Sequence, residues 1–273
     1  MFNKSSLLRP AIRYYGGKYK IAYWIIGFFP DHINYVEPCG GAASVLIRKK
    51  PSKLETFNDL DDRIVNFFQV LRDEPKELIR RIRLTPWARA EFELCQEMAE
   101  DPIENARRWF VLCWQSVSKP GGSWRSMYDY TGRPRSSPMD GIEIEHLYSI
   151  ADRFKLVKIE HRDALEVIRL YQGPETLIYF DPPYVRSTRV NKDYYAFDTD
   201  DDFHIAASQI LLEAEGFVLI SGYASELYAD LYEANGWERK DKDTVANKGA
   251  KRTESIWISP RTIKALSKPQ QIT

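Results

Sequence analysis

A short apolar run that ends in two consecutive prolines constrains the fold of this chain more than any other stretch. The run Glu175–Phe180 is rich in β-forming residues, and Asp181-Pro182-Pro183-Tyr184 follows it directly. Prolines fix φ and lack the N–H donor, so the strand has to end there. The sequence therefore predicts a buried strand whose carboxyl end, where ligands bind in open α/β sheets, carries a rigid row of hydrogen-bond acceptors.

The acceptors in this row are the Asp181 carboxylate and the carbonyls of Asp181 and Pro182, and Tyr184 adds a flat ring beside them. An amino group on a flat heterocycle fits such a site, because the amine donates to the acceptors while the heterocycle stacks on the ring. The alternative interpretation is a proline strand terminator with an aspartate that caps the next element.

Strand patterns alternate with helix patterns on both sides of this run. Further strands are predicted at Asn34–Glu37, Lys53–Phe57, Phe154–Ile159 and Phe217–Ser221, and a final antiparallel pair at Trp237–Val245 and Glu254–Ile258. The alternation predicts an α/β fold with a doubly wound, mostly parallel sheet. From 72 to 149 the strands vanish and helical spacing dominates, so this segment is predicted to be a helical subdomain inserted between 1–71 and 150–273.

Two glycine turns and two further carboxylates accompany the predicted sheet. The turn Glu37-Pro38-Cys39-Gly40-Gly41 joins a strand to a helix, as nucleotide-binding folds do. Asp59 ends the next strand about 18 residues beyond Gly41, near the spacing of a ribose-binding carboxylate. Asp163 also follows a strand, and the alternative for both carboxylates is to cap the next helix. Near the N-terminus, Tyr14–Lys18 forms a Gly-Gly turn that lets the backbone approach a ligand, or is an ordinary turn.

Basic residues interleaved with aromatic residues occupy a long Gly/Pro/Ser-rich stretch, 116–138, and a second basic loop is predicted at 247–252. Such loops suit the backbone and bases of a nucleic acid, although a solvated surface loop has the same composition. The residues predicted to contact nucleic acid are Lys119, Ser123, Trp124, Arg125, Arg133, Arg135, Arg186, Lys248, Lys251 and Arg252.

Composition excludes several other classes of protein. The formal net charge is zero, so any positive surface for nucleic acid has to be local. Three cysteines without metal-type spacing indicate reduced thiols in a cytoplasmic protein, and four scattered histidines argue against a metal site. No apolar run reaches the length needed to span a membrane.

Four motifs in this order resemble the Dam-type DNA adenine-N6 methyltransferases, the α-group with an Asp-Pro-Pro-Tyr motif. They are Tyr-Gly-Gly-Lys at 15–18, Val-Glu-Pro-x-x-Gly-Ala at 36–42, Asn-Asp at 58–59 and Asp-Pro-Pro-Tyr at 181–184. The resemblance implies a Rossmann-like methyltransferase sheet, S-adenosylmethionine as cofactor, and methyl transfer to the N6 amine of an adenine flipped out of duplex DNA. It also implies a target recognition domain at 72–149 and a prokaryotic or phage origin, and it leaves a cognate restriction endonuclease open as a partner.

The resemblance also assigns roles to individual residues. Tyr14 and Lys18 match the aromatic residue and lysine that bind the cofactor, Asp59 matches the carboxylate on the ribose, and Asp163 falls where the family contacts the cofactor's adenine. The predicted catalytic residues are Asp181, Pro182, Pro183 and Tyr184. The predicted cofactor-binding residues are Tyr14, Gly17, Lys18, Glu37, Pro38, Cys39, Gly40, Gly41, Asp59, Asp163 and Asp181.

The chain departs from the family pattern at three positions. Tyr14 replaces a Trp and keeps a stacking surface, Cys39 replaces a Phe and removes an aromatic wall, and Ala43 replaces a Gly, which is harmless if that residue is helical. A catalytically impaired DNA-binding protein, and an amino methyltransferase acting on cytosine N4 or on RNA, remain alternatives. Because stacking needs only the ring, Tyr184→Phe is expected to be mild.

Overall fold

The computed structural model describes residues 10–14, 16–117, 119–126, 144–189, 198–245 and 251–267. Within these ranges, no helix is long and apolar enough to cross a membrane.

Seven strands form one sheet in the order β3-β2-β1-β4-β5-β7-β6. They are β1 (Asn34–Glu37), β2 (Leu54–Asn58), β3 (Val157–Glu160), β4 (Thr176–Phe180), β5 (Phe217–Gly222), β6 (Glu238–Val245) and β7 (Lys251–Ile258). β1 pairs in parallel with β2 and β4, and β4 with β5, whereas β7 is antiparallel to both β5 and β6. The predicted α/β, mostly parallel sheet and its antiparallel final pair are confirmed.

The helices of the described residues surround or precede these strands. They are α1 (Ala22–Ile26), α2 (Ser44–Arg48), α3 (Asp62–Asp73), α4 (Pro75–Leu84), α5 (Arg89–Leu94), α6 (Pro102–Gln115), α7 (His146–Phe154), α8 (Ala164–Leu170), α9 (Asp201–Leu212), α10 (Glu226–Leu231) and α11 (Pro260–Leu266). Two short 3₁₀ helices lie at Arg186–Thr188 and Glu233–Asn235.

The strand order reverses between β1 and β4, which run side by side but continue in opposite directions across the sheet. A crevice opens at such a switch point beyond the carboxyl ends of the strands, and ligands bind there. All five residues of β4 are buried, as a central parallel strand covered on both faces requires. The sheet thus delivers the end of β1 and the Asp-Pro-Pro-Tyr segment to the same edge.

The chain divides into two compact units. The sheet unit contains 20–40, 48–60 and the chain from 160 onward, and its core includes Phe180, Ile220 and Trp257. The helical unit contains the described residues of 1–19, 41–47 and 61–159, and its core includes Phe68 stacked on Phe154 with ring centroids 4.6 Å apart. The helical unit is therefore larger than the predicted insertion 72–149, although α4 to α7 do lie within it or end just beyond it.

Two predicted boundaries are wrong. Phe154 was expected to begin a strand, but it ends α7, because Leu147, Ile150 and Phe154 recur at helical spacing on one buried face. Lys251 and Arg252 were expected in a loop, but both belong to β7, whose pairing with β6 extends to Val245 opposite Lys251.

Candidate active site

The segment Asp181–Tyr184 leaves the carboxyl end of β4 as a row of acceptors held against the sheet unit. Asp181 and Pro183 are half-buried, and Pro182 and Tyr184 are buried. The Pro183 carbonyl accepts a hydrogen bond of 3.1 Å from the hydroxyl of Thr199. Since Pro182 and Pro183 have no N–H, this edge of the backbone offers carbonyl oxygens and no donor at two consecutive residues.

The phenol of Tyr184 donates a hydrogen bond of 2.7 Å to Oε2 of Glu254 on β7. Its ring meets Tyr223 edge to face, with centroids 4.7 Å apart and an angle of 78° between the planes. Burial, and then the negative charges of Asp181 and Glu254, raise the pKa of Tyr184 well above its ordinary value, so the hydroxyl stays protonated and donates. Glu254 carried no role in the sequence analysis; its signal is a carboxylate in a strand whose following residues are all buried.

A buried histidine braces the other side of the segment. His204 is fully buried, with Nδ1 3.1 Å from the Tyr228 hydroxyl and Nε2 3.3 Å from the Thr199 hydroxyl that holds Pro183. Desolvation by burial lowers the pKa of His204 to about 4, so the imidazole is neutral. A neutral ring satisfies both contacts when Nε2–H donates to Thr199 and Nδ1 accepts from Tyr228.

Carboxylates gather at the same edge around Cys39, which follows β1 and is half-buried. Burial, and then the negative charges of Asp59, Asp181 and Asp163, raise the pKa of the Cys39 thiol well above its ordinary value. Cys39 is therefore a neutral thiol, and these carboxylates lie close enough to one another to act on a single side chain. Glu37 is buried one turn earlier and accepts a hydrogen bond of 2.5 Å from the Tyr35 phenol.

Asn58, at the end of β2, joins three loops at this edge. Its fully buried amide donates to the carbonyls of Pro38 (2.7 Å) and Arg162 (3.0 Å) and accepts from the Arg162 N–H (2.9 Å). Its own carbonyl accepts from the Gly40 N–H at 2.8 Å. A side chain at Gly40 would place Cβ 2.1 Å from the Phe57 ring, so this turn requires glycine. The sequence analysis noted Asn58 only as part of a motif.

The two carboxylates with a capping alternative separate in the structure. Asp163 is exposed and caps α8, accepting from the N–H groups of Leu165 (2.8 Å) and Glu166 (3.3 Å). Asp61, and not Asp59, caps α3 through the N–H of Arg63 at 2.9 Å. The capping interpretation therefore holds for Asp163 and fails for Asp59, which is half-buried beyond β2.

The remaining predicted cofactor residues lie in the helical unit. The half-buried ring of Tyr14 packs against Gly41, which has a φ of 51°, and lies 6.4 Å from the ring of Trp109. Lys18 is buried, and its ammonium donates to the Gly16 carbonyl at 2.7 Å, whereas Gly17 is exposed.

Ala43 has a φ of 52°, the one positive value among the described residues other than glycine. The expectation that a helical conformation makes this alanine harmless is wrong, because the residue is left-handed and lies just before α2. A left-handed conformation favours glycine and costs an L-residue about 1–2 kcal/mol.

The predicted nucleic-acid contacts that the structure describes are partly engaged within the protein. Trp124 donates to the Gln115 amide oxygen at 3.2 Å and has the Arg89 guanidinium 4.8 Å above its ring, a neighbour that the sequence analysis missed. Arg125 donates to the Ser116 carbonyl at 3.0 and 3.3 Å. These contacts fix the start of the basic stretch on α6. Lys119 is half-buried and Ser123 is exposed.

The other predicted contacts lie in the sheet unit or outside the described residues. Arg186 is exposed and pairs with Asp198 at 2.7 Å, and Arg252 donates to the Tyr223 hydroxyl at 3.1 Å. Arg133, Arg135 and Lys248 lie outside the described residues, and of Lys251 only the backbone is described. Among the described residues, no group of three or more His, Cys, Asp or Glu side chains is arranged to hold a metal ion.

A mostly parallel seven-stranded sheet with an antiparallel final pair, and polar groups at its switch point, defines the class of Rossmann-like methyltransferases that use S-adenosylmethionine. Residues 14–245 match the model of the D12 class N6 adenine-specific DNA methyltransferase family. The chain belongs to this family, and it is an S-adenosylmethionine-dependent, adenine-specific DNA methyltransferase.

Similar proteins include the type II methyltransferase M.MjaIII of Methanocaldococcus jannaschii, 22% identical over 92% of this chain and 97% of that protein. Modification methylase StsI of Streptococcus sanguinis is 35% identical over 28% of this chain and 12% of that protein. Among solved structures, a methyltransferase from Agrobacterium tumefaciens is 7% identical with a TM-score of 0.40, over 88% of this chain and 59% of that one. Magnesium protoporphyrin IX methyltransferase from Synechocystis PCC 6803 is 8% identical with a TM-score of 0.37, over 89% and 80%.

Replacing Asn58 should destabilise the protein and loosen its candidate cofactor loops. Asn58→Leu leaves the buried polar groups of Pro38 and Arg162 unsatisfied, so we expect a loss of about 2–4 kcal/mol in the free energy of unfolding. S-adenosylmethionine affinity should also fall at least about tenfold, measured by calorimetry below the melting temperature. Asn66→Leu, which removes one half-exposed bond to the Pro102 carbonyl, is the control and should leave cofactor affinity unchanged. Equal affinities in both variants would contradict the role of Asn58.

The left-handed turn predicts opposite outcomes for two substitutions of Ala43. Ala43→Gly relieves about 1–2 kcal/mol of strain, but this is offset by about 0.4–1 kcal/mol of chain entropy and about 0.8 kcal/mol of methyl burial, so stability should barely change. Ala43→Val should cost about 3 kcal/mol or more, because it adds a β-branch in a left-handed position. Urea denaturation measures both. Ala42→Val, at a buried neighbour without positive φ, should cost less; an equal cost would show that strain is absent.

The buried imidazole predicts a loss of stability in mild acid. His204 titrates near 4 in the folded protein and near 6.5 when unfolded, so the unfolded chain binds more protons between these values. Its contribution is therefore complete above pH 6.5 and is lost as the pH falls toward 4, by on the order of 3 kcal/mol. Urea denaturation of His204→Gln between pH 7 and 4.5 should show a weaker pH dependence than wild type. His161→Gln, at an exposed histidine, should keep the wild-type dependence.

Proposed function

We propose that Asp181 and Pro182 hold the amino group of an adenine that has been rotated out of the DNA duplex, while the methyl group is transferred to it. One observation carries the proposal: the half-buried Asp181 carboxylate stands beside consecutive prolines without N–H donors, at the switch point of the sheet. A site with acceptors and no competing donor selects an NH₂ group over a carbonyl oxygen.

The chemistry explains why two acceptors are needed. The lone pair of the adenine N6 nitrogen is delocalised into the ring, which makes the nitrogen a poor nucleophile. Accepting one hydrogen at the Asp181 carboxylate and the other at the Pro182 carbonyl favours a pyramidal nitrogen whose lone pair faces the methyl group. Positioning of this kind contributes up to ~7–11 kcal/mol, and acceptors already in place also stabilise the developing positive charge.

Rotation of the base costs a few kcal/mol, and stacking on the Tyr184 ring, worth ~1–3 kcal/mol, offsets part of this cost. Because Tyr184 is only 4% exposed, stacking requires a neighbouring side chain to move as the base enters. Tyr223 is half-buried and in ring contact with Tyr184, so it is the neighbour we assign to this movement.

The cofactor is assigned to the carboxylates and glycines near the switch point. Asp59, freed from a capping role, holds the ribose hydroxyls, and the Gly40–Gly41 turn lets the backbone approach the ligand closely. Asp163 contacts the adenine of the cofactor while it caps α8. Tyr14, Gly17 and Lys18 contribute from the N-terminal turn, where Lys18 also shapes the backbone through Gly16.

The helical segment 72–149 is assigned to recognition of the DNA sequence, with Arg89 and Trp124 at the start of its basic stretch. Because similar proteins are named as a type II methyltransferase and a modification methylase, we also assign this chain a restriction endonuclease as a functional counterpart, in a prokaryotic cytoplasm.

Substitution of Asp181 tests the proposal. Asp181→Ala should reduce methyl transfer by about a thousandfold or more, while S-adenosylmethionine affinity stays within a few-fold of wild type. The assay uses unmethylated genomic DNA and labelled cofactor, followed by digestion to nucleosides and identification of the product. Asp200→Ala, at the exposed cap of α9, is the control and should retain activity. Activity of Asp181→Ala near wild type, or N4-methylcytosine as the sole product, would refute the proposal.

A further inference from the structure

Glu254 reaches the candidate base-holding segment from a different part of the chain. It lies on β7, 70 residues beyond Tyr184, and accepts the hydrogen of the Tyr184 phenol at 2.7 Å. Tyr184 follows two prolines, so its backbone is already restricted, and the Glu254 bond fixes the opposite end of the side chain. A hydrogen bond to an ionised acceptor is roughly twice as strong as one between neutral groups.

A second contact comes from the same face of β7. Arg252 precedes Glu254 by two residues, and side chains two apart in a strand point to the same side. Arg252 donates to the hydroxyl of Tyr223 at 3.1 Å, and Tyr223 meets the Tyr184 ring edge to face at 4.7 Å. β7 therefore restrains the Tyr184 ring directly through Glu254 and indirectly through Tyr223.

We propose that Glu254 is a positioning residue for methyl transfer: by accepting the Tyr184 phenol it fixes the plane of the ring on which the adenine stacks. The inference rests on the proposed function, in which Tyr184 stacks the extruded base. Glu254 itself touches neither base nor cofactor in this account. The sequence-based expectation that Tyr184→Phe is mild is replaced, since that change removes the same bond.

The test uses the full chain, unmethylated genomic DNA and S-adenosylmethionine. Glu254→Ala and Tyr184→Phe should each lower kcat by about tenfold to a hundredfold, the range for a lost hydrogen bond to a charged group. Cofactor affinity should stay within about twofold, because neither change touches the assigned cofactor residues. Glu254→Gln should recover activity to within about threefold of wild type, since its amide oxygen still accepts from the phenol.

A double-mutant cycle separates positioning from a general structural effect. The double variant Tyr184→Phe/Glu254→Ala should be no slower than either single variant by more than about threefold, because both remove one bond. Asp243→Asn is the matched control: it removes a carboxylate from the same hairpin that bonds Thr253, on the opposite face from Glu254, and should leave kcat unchanged.

Several results would overturn the inference. A kcat for Glu254→Ala near wild type, additive losses in the double variant, or a loss in Asp243→Asn as large as in Glu254→Ala would each do so. If Glu254→Ala does not fold, Tyr184→Phe decides alone: an unchanged kcat overturns the inference and a tenfold loss supports it. Inactive Asp181→Ala beside fully active Glu254→Ala sinks this inference only, whereas fully active Tyr184→Ala removes the stacking role on which it rests.

Discussion

The site depends on the absence of backbone donors at Pro182 and Pro183. A strand that ends in two prolines cannot continue its ladder, so its carbonyls are released to face a ligand. The same absence means that ladder hydrogen bonds cannot hold this segment in place. The structure supplies the missing restraint with side chains: the Thr199 hydroxyl holds the Pro183 carbonyl, and Glu254 holds the Tyr184 phenol.

Charge at the switch point follows one rule. Asp59, Asp163 and Asp181 all act on Cys39, so this edge of the sheet unit is negative while the whole chain is neutral. A sulfonium cofactor is positively charged and an amine becomes positive as it is methylated, so carboxylates suit both. Phosphates of DNA are repelled by the same field, which explains why the predicted nucleic-acid contacts are basic residues outside this edge.

The parts of the site that the sequence predicted are those with local signals. The buried β4 and its abrupt end follow from an apolar run and two adjacent prolines, and the glycine turn follows from its own residues. The parts that it missed are made by distant pairs: Asn58 and Arg162 are 104 residues apart, Tyr184 and Glu254 are 70 apart, and His204 and Tyr228 are 24 apart. No periodicity or spacing rule connects such pairs, because the sheet order that brings them together is itself a tertiary property. Phe154 failed for a related reason, since an apolar run at a helix end reads equally well as a strand until the helical face before it is seen.

Long-range restraint also explains why a family motif is not a complete site. The tetrapeptide provides the acceptors, but their orientation depends on Thr199, His204 and Glu254, which belong to none of the four motifs. Errors of about 1 Å in the placement of reacting groups cost large factors in rate. Transfer of the motif alone to another strand would therefore supply the correct atoms without the restraints that aim them. It follows that substitutions at these bracing residues should be read as changes in geometry, even though none of them has to touch the base or the methyl donor.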